Sequence, residues 1–210
     1  VAKPSAESAS PRKPGRPKAP PGPDNGRTRI VRSAARLFRE KGFRAATVRE
    51  LAEAAGMQSG SLFYFFRNKE EILVAVMEEG MADVHAAVAA AQASGGPVAA
   101  FRLMAQRHLE GILDRDADHM TVMLYETRAL PSAAERHVRQ LRRDYEAMWE
   151  AQIDALIAVG CWRGAESPRL SRMALMGAMN WAVQWFRPDR GDTIEALVDT
   201  LAQLFLKESE

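Results

Sequence analysis

From Thr28 onward apolar residues return every three or four positions, a helical period that persists almost to the end of the chain. Ile30, Ala34, Leu37 and Phe38 share one face, Arg29, Arg32, Arg36 and Arg39 fall elsewhere, and Gly42 stops the run. Thr47 then stands where an N-cap belongs and Glu50 follows three residues later, so "VRELAEAAG" reads as a two-turn helix behind a capping box, ended by Gly56. After the turn "GMQ", Ser59 caps a third short helix, "GSLFYFF", and Asn68 caps a fourth that opens on Glu70 and Glu71. Longer helices are expected at about 69–92, 97–114, 117–129, 132–160, 168–187 and 192–207, separated by "SGGP", "DRDAD", Pro131, "GCWRGAESP" and "RPDRGD". No segment alternates with the period of a strand, and the expected fold class is all-α.

Two short helices joined by a tight glycine turn and braced by a preceding amphipathic helix are the minimum for helix-turn-helix DNA binding. Four consecutive aromatics, Phe63 to Phe66, divide the work of the third helix. Leu62 and Phe66 are four apart and share a bracing face with Phe65 beside them, while Phe63 and Tyr64 turn outward. Ser59, Gly60 and Ser61 are small enough to let the start of that helix enter a groove, with hydroxyls and N–H groups offered to phosphates.

Charge sharpens this picture. The formal net charge of +2 hides fifteen Lys/Arg against five Asp/Glu up to Lys69, and fourteen against twenty-two beyond it. A polyanion is attracted to the first third and repelled by the rest. Residues 1–26 are rich in Pro, Ser, Ala and Gly without apolar periodicity and read as a disordered basic arm. Its "KPGRPK" resembles the minor-groove core of an AT-hook. Residues 27–73 are the expected DNA-binding domain, with the helix-turn-helix at about 47–66, and residues 74–210 the expected sensing and dimerisation domain. Cys161 is the single cysteine, which excludes an intramolecular disulfide and a cysteine metal cluster. The start lacks a signal-peptide core and no run approaches a membrane span, so the expected location is cytoplasmic, with no membrane partner. His85, His108, His119 and His137 show no metal-ligand spacing, and no Gly-x-Ser-x-Gly elbow occurs. Neither an enzyme, a cofactor nor a metal is expected.

Residues 28–73, from "IVRSAARLFREKGFRAATVRELAEAAG" to "GSLFYFFRNKEEIL", resemble the DNA-binding domain of the TetR family of bacterial repressors. The resemblance implies that Thr47 is a phosphate-contacting cap, that Arg49 reads a base edge, and that Ser59, Gly60 and Ser61 face the groove. It likewise makes Lys69 similar to a lysine that meets phosphate from the start of the fourth helix. The family usually has tyrosine where Phe63 stands and often histidine or tyrosine where Phe65 stands. Two phosphate donors are therefore missing, and Tyr64 and Arg67 are the replacements at hand. The later stretches "LYETRALPSAAERHVRQLRRDYEAMWEAQIDALIAVG" and "GAMNWAVQWFRPDRGDTIEALVDTLAQLFLK" resemble the branch that senses fatty acyl-CoA or related CoA thioesters.

On that reading double-stranded DNA, a hydrophobic small-molecule effector and a second copy of the chain are the partners. An adaptable pocket is expected among Phe101, Met104, His108, Met123, Tyr125, Tyr145, Met148, Trp149, Met176, Asn180 and Trp181, against the competing reading of ordinary core packing. Arg139, Arg142 and Arg143 either meet a phosphate-bearing ligand tail or form a solvated helix face. Gly177, Ala178, Trp185, Leu197, Leu201 and Leu204 are expected in a dimer interface built from the last two helices. A regulator of drug or solvent efflux would share everything but the ligand chemistry. A helical adaptor that binds no DNA and uses its basic arm on acidic surfaces is the alternative of another class.

Overall fold

The computed structural model describes residues 26–113, 118–126, 130 and 132–207. Within them lie α1 (Gly26–Lys41), α2 (Val48–Ala54), α3 (Ser59–Leu62), α4 (Lys69–Gln92), α5 (Pro97–Leu113), α6 (Asp118–Tyr125), α7 (Ser132–Ala158), α8 (Pro168–Trp185) and α9 (Ile194–Phe205). A 3-10 turn at Pro188–Arg190 joins the last two helices, and no strand forms among the described residues beyond one antiparallel bridge between Trp162 and Leu206. The fold is all-α, as the periodicity requires, with a three-helix head and a helical bundle behind it.

Local chemistry sets the ends. Thr47 accepts from the Glu50 N–H at 3.2 Å and its own N–H donates back to Glu50 Oε2 at 2.9 Å, closing the expected capping box of α2. Asn68 Oδ1 accepts from the Glu71 N–H at 2.8 Å and caps α4. Gly42 and Gly56 take φ of +78° and +68°, the left-handed turn that ends a helix and that L side chains resist.

Several boundaries differ from the sequence reading. The first helix starts at Gly26, two residues before Thr28, and the rest of the basic arm lies outside the described residues. The third helix is one turn, not two: Gln58 occupies its N-cap without a side-chain bond, Ser59 is the first helical residue, and the chain leaves the helix after Leu62. Residues 63–66 continue as a loose turn in which the Phe66 N–H still reaches the Leu62 carbonyl at 3.1 Å. The sixth helix ends at Tyr125 instead of 129, and residues 127–129 lie outside the described residues. The eighth stops at Trp185, where Phe186 turns extended, and Arg187 after it is held out of the helical region by Pro188. The ninth begins only after Thr193, whose hydroxyl accepts from the Ala196 N–H.

One continuous core runs through both parts. In the head Ile30, Ala34 and Phe38 of α1 meet Leu51 of α2, Leu62 of α3 and Phe66. Burial of such side chains is worth about 1.5–3 kcal/mol each, enough to hold helices too short to survive alone. The long α4 carries this core into the bundle and touches α1, α5, α6 and α7. Gly80 on α4 lets α6 pass close by, since a Cβ there would stand 2.7 Å from the His119 Cβ.

Candidate nucleic-acid interface and ligand cavity

The exposed edge of the head is built from α2 and α3. Arg49, on the outer face of α2, shares a shallow depression with Glu53, Gly56, Met57, Gln58 and Ser59. Ser59, Gly60 and Ser61 are all exposed, and a Cβ at Gly60 would meet no protein atom. The start of α3 is therefore open to close approach from outside. Thr47 is exposed at the head of α2, its hydroxyl already bound to Glu50. Lys41 lies 2.6 Å from the same carboxylate, and with the Thr47 bonds it holds Glu50 down at about 2. That capped, anchored start fixes where Arg49 projects.

The aromatic run divides as its spacing suggests. Leu62 and Phe66 are buried, while Phe63 and Tyr64 are exposed, Tyr64 at 87%. Phe65 caps Gly26 at the start of α1 and meets Tyr64 edge-on at 5.2 Å, which ties the turn after α3 to the first helix. Arg27 lies over the Phe66 ring at 5.2 Å.

Positive charge at this end sorts into two groups. Arg36, Arg39 and Lys41 are paired with Glu40, Asp118 and Glu50. Arg29, Arg44 and Arg49 are exposed and enter no ion pair among the described residues. Arg67 is exposed, with its backbone N–H donating to Glu71 at 2.8 Å and its guanidinium 3.9 Å from the same carboxylate. Lys69 departs from the phosphate-facing expectation. Its ammonium donates to the Phe43 and Ala46 carbonyls at 2.8 Å each and lies 4.4 Å from the centre of the Phe43 ring. It closes the α1–α2 loop from within, because the carbonyls of residues 43 and 46 lie between the helices, where no helical N–H meets them.

A second feature lies in the bundle: a cavity of about 420 Å³ between α4, α5, α6, α7 and α8. Five methionines, Met81, Met120, Met123, Met173 and Met176, form its apolar wall. His108, Tyr145 and Asn180 add polar groups, and Arg142, Glu146, Arg169 and Arg172 add charge. Arg142 and Arg169 are exposed and mark the open end, whereas His108 is buried at 1% exposure and marks the closed one. His108 Nδ1 lies 2.7 Å from the Tyr145 hydroxyl, and the rings stack. Burial pushes the imidazole down to about 4, against a smaller opposing effect from the adjacent Asn180 side chain. The same burial raises the Tyr145 phenol well above its usual value.

Of the expected pocket residues, His108, Met123, Tyr145, Met176 and Asn180 come together here. Phe101, Met104 and Trp149 are fully buried in the core behind it, Phe101 and Trp149 in edge contact at 6.4 Å. Met148 is half-buried against that core, its carbonyl accepting from Gln92. The Tyr125 side chain lies outside the described residues. Trp181 does not reach the cavity: it is 62% exposed, because α8 turns residues 169, 172, 173, 176 and 180 inward and 181 to the opposite face. Of the arginine cluster on α7 only Arg142 lines the cavity, whereas Arg139 pairs with Glu135 and Arg143 with Gln140. Sequence reasoning missed Met81, Glu146, Arg169 and Arg172, although the spacing of Arg169, Arg172, Met173, Met176 and Asn180 is that of one helical face.

The outward face of α8 holds Leu170, Gly177, Ala178, Trp181 and Trp185, all exposed, and Leu204 of α9 is exposed too. Leu201 is not on this face. It is 2% exposed and packs with Val198 and Ala202 in its own subunit's core, and Leu197 is half-buried, since α9 turns this stripe toward α5. No helix among the described residues is long and apolar enough to cross a membrane.

Comparison with known proteins agrees with this architecture. Residues 30–76 match the model for bacterial regulatory proteins of the tetR family, and residues 94–208 match that for the tetracyclin repressor-like C-terminal domain. The HTH-type transcriptional repressor KstR2 of Rhodococcus jostii (strain RHA1) is 30% identical over 184 residues, covering 86% of this chain and 87% of that one. Among solved structures, superantigen PfiT is 35% identical with a TM-score of 0.77, covering 90% of this chain and 100% of that one. AibR, solved with isovaleryl coenzyme A and operator DNA, has a TM-score of 0.79 over 86% of this chain and 97% of its own, and at 22% identity it shares the fold. The chain belongs to the TetR family of bacterial transcriptional regulators.

Proposed function

We propose that the protein is a homodimeric repressor that reads a near-palindromic operator in double-stranded DNA and leaves it when a hydrophobic effector fills the cavity. The exposed edge made by Arg49 and the unpacked start of α3 carries the reading: a capped helix holds the arginine beside an open helix end on the basic part of the chain. Phosphate contacts from exposed arginines supply salt-dependent affinity, and Arg49 supplies base choice through a bidentate contact to guanine. The head is joined to the cavity by α4, which starts in the head at Lys69 and lines the cavity with Met81. Release follows if the effector favours the state in which the two heads are wrongly spaced, with a coupling of about 1–3 kcal/mol.

The effector we infer is an acyl group carried as a CoA thioester. Methionine walls suit an apolar chain of variable shape, and the exposed Arg142 and Arg169 suit an anionic carrier at the open end, whereas Arg172 is already paired with Glu146 and Glu150. AibR, of the same fold, was crystallised with such a thioester.

Capture of genomic fragments by the full chain at near-physiological salt, with sequencing of what is retained, tests the DNA reading. One inverted repeat should be enriched, and Arg49→Ala should bind it more weakly by about 1–3 kcal/mol per half-site. Uniform, salt-sensitive retention that ignores the mutation would instead favour the adaptor. The second copy is expected on the exposed face of α8, where Trp181 and Trp185 flank a patch of small residues. Trp181→Glu should then shift the sedimentation of the protein from dimer to monomer, and an unchanged dimer would place the interface elsewhere.

A further inference from the structure

Two side chains that line the cavity carry a buried polar atom without a hydrogen-bond partner, His108 at Nε2 and Arg172 at Nε; the guanidinium of Arg172 is already paired with Glu146 and Glu150, whereas the imidazole has no such compensation. His108 Nδ1 is bound to Tyr145, but Nε2 is buried and makes no well-formed hydrogen bond: the Asn180 side chain, which also lines the cavity, is close enough to favour the charged ring without meeting hydrogen-bond geometry. A buried nitrogen left unsatisfied destabilises the fold, a cost that is avoided only if something else meets it. The apolar part of the cavity wall is methionine, which offers no strong hydrogen bond. A plain hydrocarbon tail packed against this spot would seal the nitrogen off for good.

We propose that the effector carries an uncharged oxygen function, a ketone or a hydroxyl, on its apolar part, and that His108 Nε2 and the Asn180 carboxamide bind this oxygen at the closed end of the cavity. The inference rests on the effector reading above and narrows it from an acyl chain to an oxygenated one. A charged group is disfavoured at this end because the exposed arginines, Arg142 and Arg169, stand at the opposite, open end, Arg172 is already paired with Glu146 and Glu150, and His108 is neutral at physiological pH, held down by burial. Nε2 is screened by its neighbours as the side chains now lie, so the oxygen takes its place as the Asn180 carboxamide turns toward it. Sites built to bind an oxygen discriminate strongly against analogues that lack it, because the partner groups are then left unpaired.

Isothermal titration of the full chain with octanoyl-CoA, its 3-, 5- and 7-oxo derivatives and the matching hydroxy derivatives tests the proposal. At least one oxygenated isomer should bind about tenfold tighter than octanoyl-CoA, and that ratio should fall to about one in His108→Phe. Ketone preference would mean that Nε2 donates, and hydroxyl preference that it accepts. Equal binding of plain and oxygenated chains, or a preference that survives His108→Phe, would overturn it. Should no thioester bind, the CoA reading falls, and an uncharged pair on the unmutated protein decides the present point. Cyclohexanone, but not methylenecyclohexane, should shift the His108 Nε2 resonance in a nitrogen-15 spectrum, and a resonance moved by neither would reject the assignment.

Discussion

Lys69→Met is expected to destabilise the DNA-binding head by about 3–5 kcal/mol, an unusually large effect for a lysine. Two bonds from the ammonium to the Phe43 and Ala46 carbonyls are 2.8 Å long, and the Phe43 ring lies 4.4 Å from the charge. Hydrogen bonds to a charged group contribute about 1.5–3 kcal/mol each, and a cation over an aromatic face adds about 0.5–1 kcal/mol. Methionine keeps the stem and removes these interactions together with a longer contact to the Arg44 carbonyl at 3.5 Å, leaving carbonyls of the α1–α2 loop unpaired. The consequence reaches further than the loop, because Thr47 at its end caps α2 and so sets the direction of Arg49. Urea unfolding and amide exchange at residues 43–46 provide the measurement. A lysine that served only to contact phosphate would leave stability and exchange unchanged and would lower the salt dependence of operator binding by about one counterion per half-site. That pattern would show the carbonyl contacts to be incidental.

Much of this architecture is legible in the sequence where the signal is local. Thr47 with Glu50, Asn68 with Glu71, and the turn glycines Gly42 and Gly56 each specify a backbone conformation within a few residues, and the helices start and stop there. Covering partners are not local, and there the sequence is silent. The apolar stripes of the last two helices show that something buries them without saying what. Trp181 belongs to the outward face of α8 and Leu201 to the inward face of α9, the reverse of the assignment that composition favours. Lys69 is the same problem in a charged residue, since carbonyls more than twenty positions away decide its role. The third helix was overextended for a different reason. Four aromatics in a row have helical spacing, but Phe65 is drawn to Gly26 on α1 and the chain opens into a turn to let it go.

Stability should fall as the solution is acidified from pH 6.5 to pH 4, and His108 should account for about 3 kcal/mol of that loss. Its imidazole ionises near 6.5 when exposed but only at about 4 in the folded chain, where burial opposes the charge more than the nearby Asn180 favours it. Between these values the unfolded chain carries a proton that the folded one refuses, so the unfolded state binds more protons and stability rises with pH. Above 6.5 both states are neutral and the contribution is flat. Glu50 acts in the same direction but in a lower window, because its carboxylate is held down at about 2 by Lys41 and Thr47. The two are separable by mutation. Urea unfolding of the full chain and of His108→Phe at pH 7.5, 5.5 and 4.5 should give curves that diverge on acidification, by roughly 1 kcal/mol at pH 5.5 and most of the full difference at pH 4.5. Parallel curves would mean that the ring gains solvent or a partner on protonation, and that the closed end of the cavity opens more readily than its packing implies. A divergence of the expected size would mean that the imidazole stays neutral and dry at physiological pH, the state in which its free nitrogen can recognise an uncharged oxygen.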